Sequence, residues 1–217
     1  MSEEPELRAG EIDAALADEW PGLRLAWMGF GAVPGPSPPE LRERLRLLSD
    51  RFRGPQAIAL RRQPIPHAYR VFFRHIGLEP DETRTPVEAL AVERMKHGGF
   101  RSRSLLDDAI TVAVMDTSVP VWALDASVLD GDLCLRGARD GEPLGRGPEA
   151  AGSLPEGRLV VADAAGAVAV LFGDPAPGCG VTQRSRDLAI FSVAVPGVPP
   201  IHVEEALWTV WDIVAGD

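Results

Sequence analysis

Cysteine, lysine and histidine are all scarce in this 217-residue chain, which has two Cys, a single Lys (Lys96) and four His. Cys134 and Cys179 are far apart and make no CxxC pair, so neither a disulfide framework nor a thiolate metal site is predicted. Two free thiols fit a reducing cytoplasm. His67, His75, His97 and His202 show no ligand spacing with Cys or with one another, and no metal and no cofactor is expected. The apolar runs are too short to cross a bilayer as a helix, so no membrane partner is expected. The acidic start, Met1 to Glu6, lacks a basic run followed by an apolar one and predicts no secretory signal. The remainder is ordinary globular material, 45% apolar and 25% charged, and predicts one domain over residues 1–217.

Basic charge is in short supply and unevenly placed. The chain carries 22 basic and 32 acidic residues, a net charge of −10. Residues 1–39 and 104–217 are acidic, whereas residues 40–103 hold 14 basic and 8 acidic side chains. A globally acidic protein is repelled by a phosphate backbone, which excludes broad non-specific nucleic-acid binding and makes DNA an unexpected partner. Taken by itself, the Arg-rich middle reads as a solvated helix face, while leaving room for contact with a structured RNA.

Periodicity predicts helices first and strands later. Residues 8–19 read as a short acidic helix, Leu23 to Met28 as a strand, and Gly29 to Pro39 as a loop, all within the same domain. Leu41, Leu45, Leu48 and Phe52 form a helical stripe that Gly54-Pro55 stops. Tyr69, Phe72, Phe73 and Ile76 form a second stripe, closed by Gly77. Thr85-Pro86-Val87-Glu88 is a capping box with Pro at the first helical position, opening a third helix that ends at Gly98-Gly99. Leu105 to Met115 is apolar nearly all round and predicts a buried helix. Beyond residue 116, Val119–Leu124, Asp132–Arg136, Leu159–Asp163, Val168–Phe172 and Leu188–Val195 read as strands, with Ala164-Ala165-Gly166 turning a hairpin. Gly141–Gly157 reads as a polar loop, and Val203 to Val214 as a final helix. This order predicts an α+β fold.

Familiar catalytic motifs are missing. There is no GxSxG elbow, no GxxxxGK[ST] phosphate loop and no GxGxxG that follows a strand and opens a helix. Asp107 and Asp108 are adjacent and cannot face one another across a substrate as an acid and base pair. One of them must lie against the apolar side of the helix, either hydrogen-bonded or functional.

Two stretches carry more than composition. The first is Ala68-Tyr69-Arg70-Val71-Phe72-Phe73, Ile76-Gly77-Leu78-Glu79-Pro80 and Arg84 to Leu90. The second is Leu105-Leu106-Asp107-Asp108, Val119-Pro120-Val121-Trp122-Ala123-Leu124-Asp125 and Leu129 to Glu142, followed by Leu159 to Gly166 and Val181-Thr182-Gln183-Arg184-Ser185-Arg186-Asp187. The second resembles the B3/B4 domain of the β subunit of bacterial phenylalanyl-tRNA synthetase. The two together resemble the free-standing proteins made of that domain alone, over residues 20–215.

The resemblance implies a β-sandwich-like core of unusual topology, of the B3/B4 type, flanked by helices. It implies an RNA-associated protein whose partner is tRNA or aminoacyl-tRNA. In the synthetase this domain hydrolyses tyrosine wrongly esterified to the phenylalanine tRNA, which would make a free-standing relative a trans-editing deacylase. Such editing needs no protein nucleophile, since a pocket fixes the ester and polar groups place a water.

The chain departs from the pattern at the site itself. Trp122 stands where the family has His, and an indole neither accepts a hydrogen bond nor titrates near neutrality. Ser104 and Thr111 replace two Asn, and Asp174 is the nearest counterpart of the acid that reads the tyrosine hydroxyl. The residues expected to line a pocket are Trp122, Asp125, Asp174 and Thr182, with Asp108 behind them. Arg136 also matches a family motif letter. The alternative to a hydrolase is a non-catalytic binding protein for an amino acid or a related small molecule, with Trp122 as an apolar or cation–π wall.

Overall fold

The structure is a computed structural model that describes residues 4–216. The expectation for Met1 to Glu6 therefore lies partly outside the described residues. In chain order the elements are β1 (Arg8–Ile12), α1 (Ala14–Glu19), β2 (Arg24–Gly31), α2 (Pro39–Arg51), α3 (Gly54–Leu60), α4 (Pro64–His75), α5 (Pro86–His97), α6 (Leu105–Thr117), β3 (Trp122–Asp125), β4 (Cys134–Gly137), β5 (Pro143–Leu144), β6 (Ala151–Ser153), β7 (Leu159–Asp163), β8 (Gly166–Val170), β9 (Asp187–Ala194) and α7 (Pro200–Ala215). The class is α+β. The chain divides into two compact units, Met1–Pro34 with Trp122–Ala194 and Gly35–Val121 with Val195–Asp217. The first holds every described strand and α1; the second holds α2 to α7.

In the strand unit the described strands form one connected nine-stranded sheet in the order β3-β9-β2-β1-β4-β7-β8-β5-β6. Strands β2 and β9 pair antiparallel along their whole length, from Arg24 opposite Ala194 to Gly31 opposite Asp187. Seven of the eight residues of β9 are buried, which is why Leu188 to Ala194 reads as an almost continuous apolar run instead of alternating. Strand β3 is antiparallel to β9 on its other side, so β2 and β3 run parallel to each other. Parallel strands need a long crossover, and α2 to α6 are that connection. Strand β1 joins the two parts of the sheet: Arg8, Ala9 and Gly10 pair with β2, and Glu11 and Ile12 pair with β4.

The residues read as one acidic helix over 8–19 are thus a strand followed by a helix. Two neighbouring strands capture Arg8–Ile12, and pairing of that kind overrides weak helix propensity. Gly10 is what lets β1 pass so close, since a Cβ there would sit 2.7 Å from the Leu133 carbonyl oxygen and inside Leu25. Asp13 then caps α1, its carboxylate accepting from Ala15 N at 3.0 Å. The loop expected over Gly141–Gly157 also contains two short strands, β5 and β6. The hairpin of β7 and β8 turns where expected, but β8 ends at Val170, and Phe172 leaves the strand with φ +63°.

The helical unit follows its sequence signals closely. Leu41, Leu45 and Leu48 of α2 pack against Val112 of α6, with Phe100, Leu105, Met115 and Ile213 around them. Gly54-Pro55 both follows the end of α2 and opens α3, because proline suits the first helical turn as well as it ends a previous one. The Thr85 capping box is complete: Thr85 Oγ1 accepts from Glu88 N, and Glu88 accepts from Thr85 N. Glu88 also takes Arg70 Nη1 at 2.7 Å, so the cap of α5 is tied to α4 by a buried ion pair.

Candidate functional site

Asp125 ends β3 and turns the chain. Its Oδ1 accepts from Ser127 N at 2.9 Å and from Ser127 Oγ at 2.6 Å, and its Oδ2 accepts from Ser185 Oγ at 2.5 Å. Burial alone would raise its pKa, but the Ser127 and Ser185 hydrogen bonds outweigh that and hold it below the ordinary carboxylate value. A carboxylate has about four acceptor directions, and three are used here. Ser185 is 2% exposed and also accepts from Thr182 N at 3.0 Å. Thr182 Oγ1 in turn accepts from Arg184 N at 3.2 Å, and Thr182 O from Ser185 N at 3.1 Å. Thr182 is therefore a turn-forming hydroxyl, joined to Asp125 through Ser185.

Trp122 starts the same strand. It is opposite Phe191 of β9, with ring centroids 5.5 Å apart and nearly parallel planes, while Phe172 approaches at 6.0 Å and 45°. Three positions separate Trp122 from Asp125, so the two-residue alternation of a strand puts them on opposite faces of β3. Strand β3 is an edge strand of the sheet.

The segment from Asp174 to Thr182 runs along that rim. Gly180 bridges Leu124, and the Cys179 carbonyl accepts from Asp125 N at 2.9 Å. The same segment is held from behind, where Ala176 N donates to Val168 O at 2.7 Å and Arg146 N to Pro177 O at 2.9 Å. Asp174 is exposed at the start of the segment and makes no hydrogen bond or ion pair with other described residues. The structure thus links Asp125 and Thr182 through Ser185 at the end of β3, with Trp122 packed against Phe172 and Phe191 on the opposite face of that strand, and Asp174 at the start of the segment that bridges Leu124.

Asp108 belongs to the helical unit. It is 1% exposed in the first turn of α6, where it accepts from Ser37 Oγ, from Ser102 Oγ at 2.6 Å and from Arg103 N at 2.9 Å. It ties the Ser37 and Ser102–Arg103 segments to the first turn of α6 and has its own partners there. Arg136 forks onto Glu142 at 2.8 and 2.6 Å. That pair, helped by Arg139 N and Ala167 N, drives the Glu142 pKa down to about 2 despite its burial. It organises the β4 and β8 region.

The chemistry available at the β3 edge is narrow. All four histidines lie outside the strand unit. Burial pushes the Cys134 and Cys179 thiols up, so neither is a thiolate near neutrality. Ser185 faces a carboxylate too weakly basic to activate it. Among the described residues no three His, Cys, Asp or Glu side chains gather as a metal site, and no helix is long and apolar enough to cross a membrane.

No protein-family model matches the chain. Part of it is similar to the β subunit of phenylalanine–tRNA ligase. The subunit of Neisseria meningitidis serogroup A (strain Z2491) is 32% identical over 126 residues, 57% of this chain and 14% of the relative. That of Colwellia psychrerythraea (strain 34H) is 33% identical over 118 residues, 54% of this chain and 14% of the relative. The chain thus matches only about one-seventh of the length of these ligase subunits. The sequence pointed to Trp122, Asp125, Asp174, Thr182 and Asp108 but not to Ser127, Ser185, Phe172 or Phe191, which contact Asp125 and Trp122. Ser127 was legible as the second residue after an Asp at a turn. Ser185 sat inside a quoted motif, but its link to Asp125 spans 60 residues and no local signal announces it.

Proposed function

We propose that this chain is a free-standing, cytoplasmic, synthetase-related module of the B3/B4 type that recognises aminoacyl-tRNA, with the aminoacyl end at the edge of β3. The observation that carries the reading is the 32% identity over 126 residues to a phenylalanine–tRNA ligase β subunit. The site chemistry is compatible with it. Trp122 and Phe172 supply an aromatic wall, Asp125 keeps one acceptor direction for an ammonium or hydroxyl donor, and Asp174 adds an unpaired carboxylate. Thr182 holds Ser185 in place for Asp125.

Recognition without a histidine or a thiolate at the β3 edge is what these side chains support. Any hydrolysis would depend on positioning a water and on groups of the substrate itself. The absence of histidine from the strand unit also favours a second reading, a binding protein for an amino acid or an aminoacyl-adenosine.

Binding and deacylation measured in parallel separate these readings. The protein is incubated with correctly and wrongly charged tRNAs, and free amino acids and non-hydrolysable aminoacyl-adenosines are titrated by calorimetry. Aminoacyl-tRNA binding that Trp122→Ala weakens at least tenfold is the expected outcome. Ester cleavage above buffer establishes the deacylase form. Affinity for the small molecules with none for tRNA establishes the second reading, and silence towards all of them refutes both.

A further inference from the structure

In the helical unit, an open-sided hollow of about 310 Å³ lies between α3 and α5. This is at the lower end of small-molecule sites, sized for a compact ligand. Ala57, Ile58 and Leu60 of α3 face Ala91, Val92 and Met95 of α5 across it, and Glu88 and Arg61 complete the wall. Ile58 and Met95 are 75% and 45% exposed, two large apolar side chains left in water beside a cavity.

The polar groups of that wall are one-sided. Glu88 Oε1 lies 2.7 Å from Arg70 Nη1 and 3.0 Å from Arg61 Nε, and its Oε2 accepts from Thr85 Oγ1 at 3.1 Å and Thr85 N at 3.4 Å. Those four contacts use the acceptor capacity of a carboxylate. Arg61 spends Nε on Glu88 and one Nη1 hydrogen on Asp81 at 3.2 Å, and no described residue takes its Nη2. The side chains of the hollow therefore retain donors and no free acceptor. Among these side chains a cation or a pure donor finds no partner; an apolar body carrying an acceptor does.

We propose that this hollow is a binding site for a small apolar carboxylate, its hydrocarbon part between α3 and α5 and its carboxylate on the free edge of the Arg61 guanidinium. The site lies wholly within the helical unit and does not depend on the aminoacyl-tRNA reading.

Octanoate below its micellar range, with octylamine as the opposite-charge control, tests it on the full chain carrying labelled Ile, Val and Met methyls. Saturable shifts at Ile58, Val92 and Met95 are expected with octanoate, and at least tenfold weaker ones with octylamine. Ala57→Leu, which fills the hollow, should abolish them. Arg61→Gln should weaken octanoate about tenfold, the scale of one lost charge-assisted hydrogen bond. Val92→Phe serves as an independent filling variant should Ala57→Leu not fold. Absence of saturable shifts, equal response to octylamine, or shifts that survive a folded filling variant would each overturn the proposal. All three readouts are methyl shifts with no RNA present, so failure here and failure of the tRNA reading are separately visible.

Discussion

Phe172 is held with φ +63°, in the left-handed region that disfavours any residue with a Cβ, and its ring lies 6.0 Å from that of Trp122. The backbone penalty is about 1–2 kcal/mol. Replacing it by Gly removes the ring and the strain together, whereas Ala removes the ring alone. Urea unfolding should therefore find Phe172→Ala less stable than Phe172→Gly by about 1 kcal/mol. Equal stabilities would mean that the strain is not there.

Glu142 makes a second residue-level prediction. Its pKa is held near 2, so its contribution to stability is complete above the ordinary carboxylate pKa and is lost as the pH falls from about 4.5 towards 2. A shift of that size corresponds to about 3 kcal/mol. Acid unfolding of the wild type should steepen across that window, and Glu142→Gln should start less stable and be flatter there. Asp125, also lowered, adds loss of the same sign.

At the scale of elements, the legible part of the fold was the part built from local signals. The Thr85 capping box, the α2 stripe and the β7–β8 turn are written within a few residues each, and all three are present. Arg8–Ile12 was not legible, because what makes it a strand is its pairing with β2 and with β4, and β4 lies more than 120 residues further along the chain. The candidate site shows the same division. Trp122 and Asp125 could be chosen from one tetrapeptide, whereas the Asp125–Ser185 bond exists only after β3 and β9 have paired.

Two predictions belong at this scale. Thr85→Ala removes a cap and leaves the buried Glu88 short of donors, so it should cost about 1–2 kcal/mol in denaturant unfolding. Gly10→Ala drives a methyl into Leu25 and the Leu133 carbonyl, so it should cost at least about 2 kcal/mol, more than an ordinary strand Gly→Ala change.

Across the whole molecule charge is partitioned. The strand unit has 8 basic and 17 acidic residues, and the helical unit has 14 and 15. On the proposed reading, a polyanion is repelled by the acidic strand unit, and phosphate contacts would fall to the helical unit. Arg84, Lys96 and Arg101 are exposed there and make no ion pair with other described residues. Reversing all three to Glu should weaken tRNA at least tenfold and flatten its salt dependence, while leaving affinity for an aminoacyl-adenosine unchanged. Gel-shift titrations at several salt concentrations and calorimetry read the two effects separately.

Five residues, Arg8 to Ile12, act as the zip between two blocks of hydrogen-bonded ribbon, giving three partners to one block and two to the other. A chain shortened to begin at Asp13 would expose two raw flanks at once, along β2 and along β4, each a template for another molecule's backbone. Such a shortened chain should self-associate before it unfolds, which makes Arg8–Ile12 the molecule's guard against its own copies.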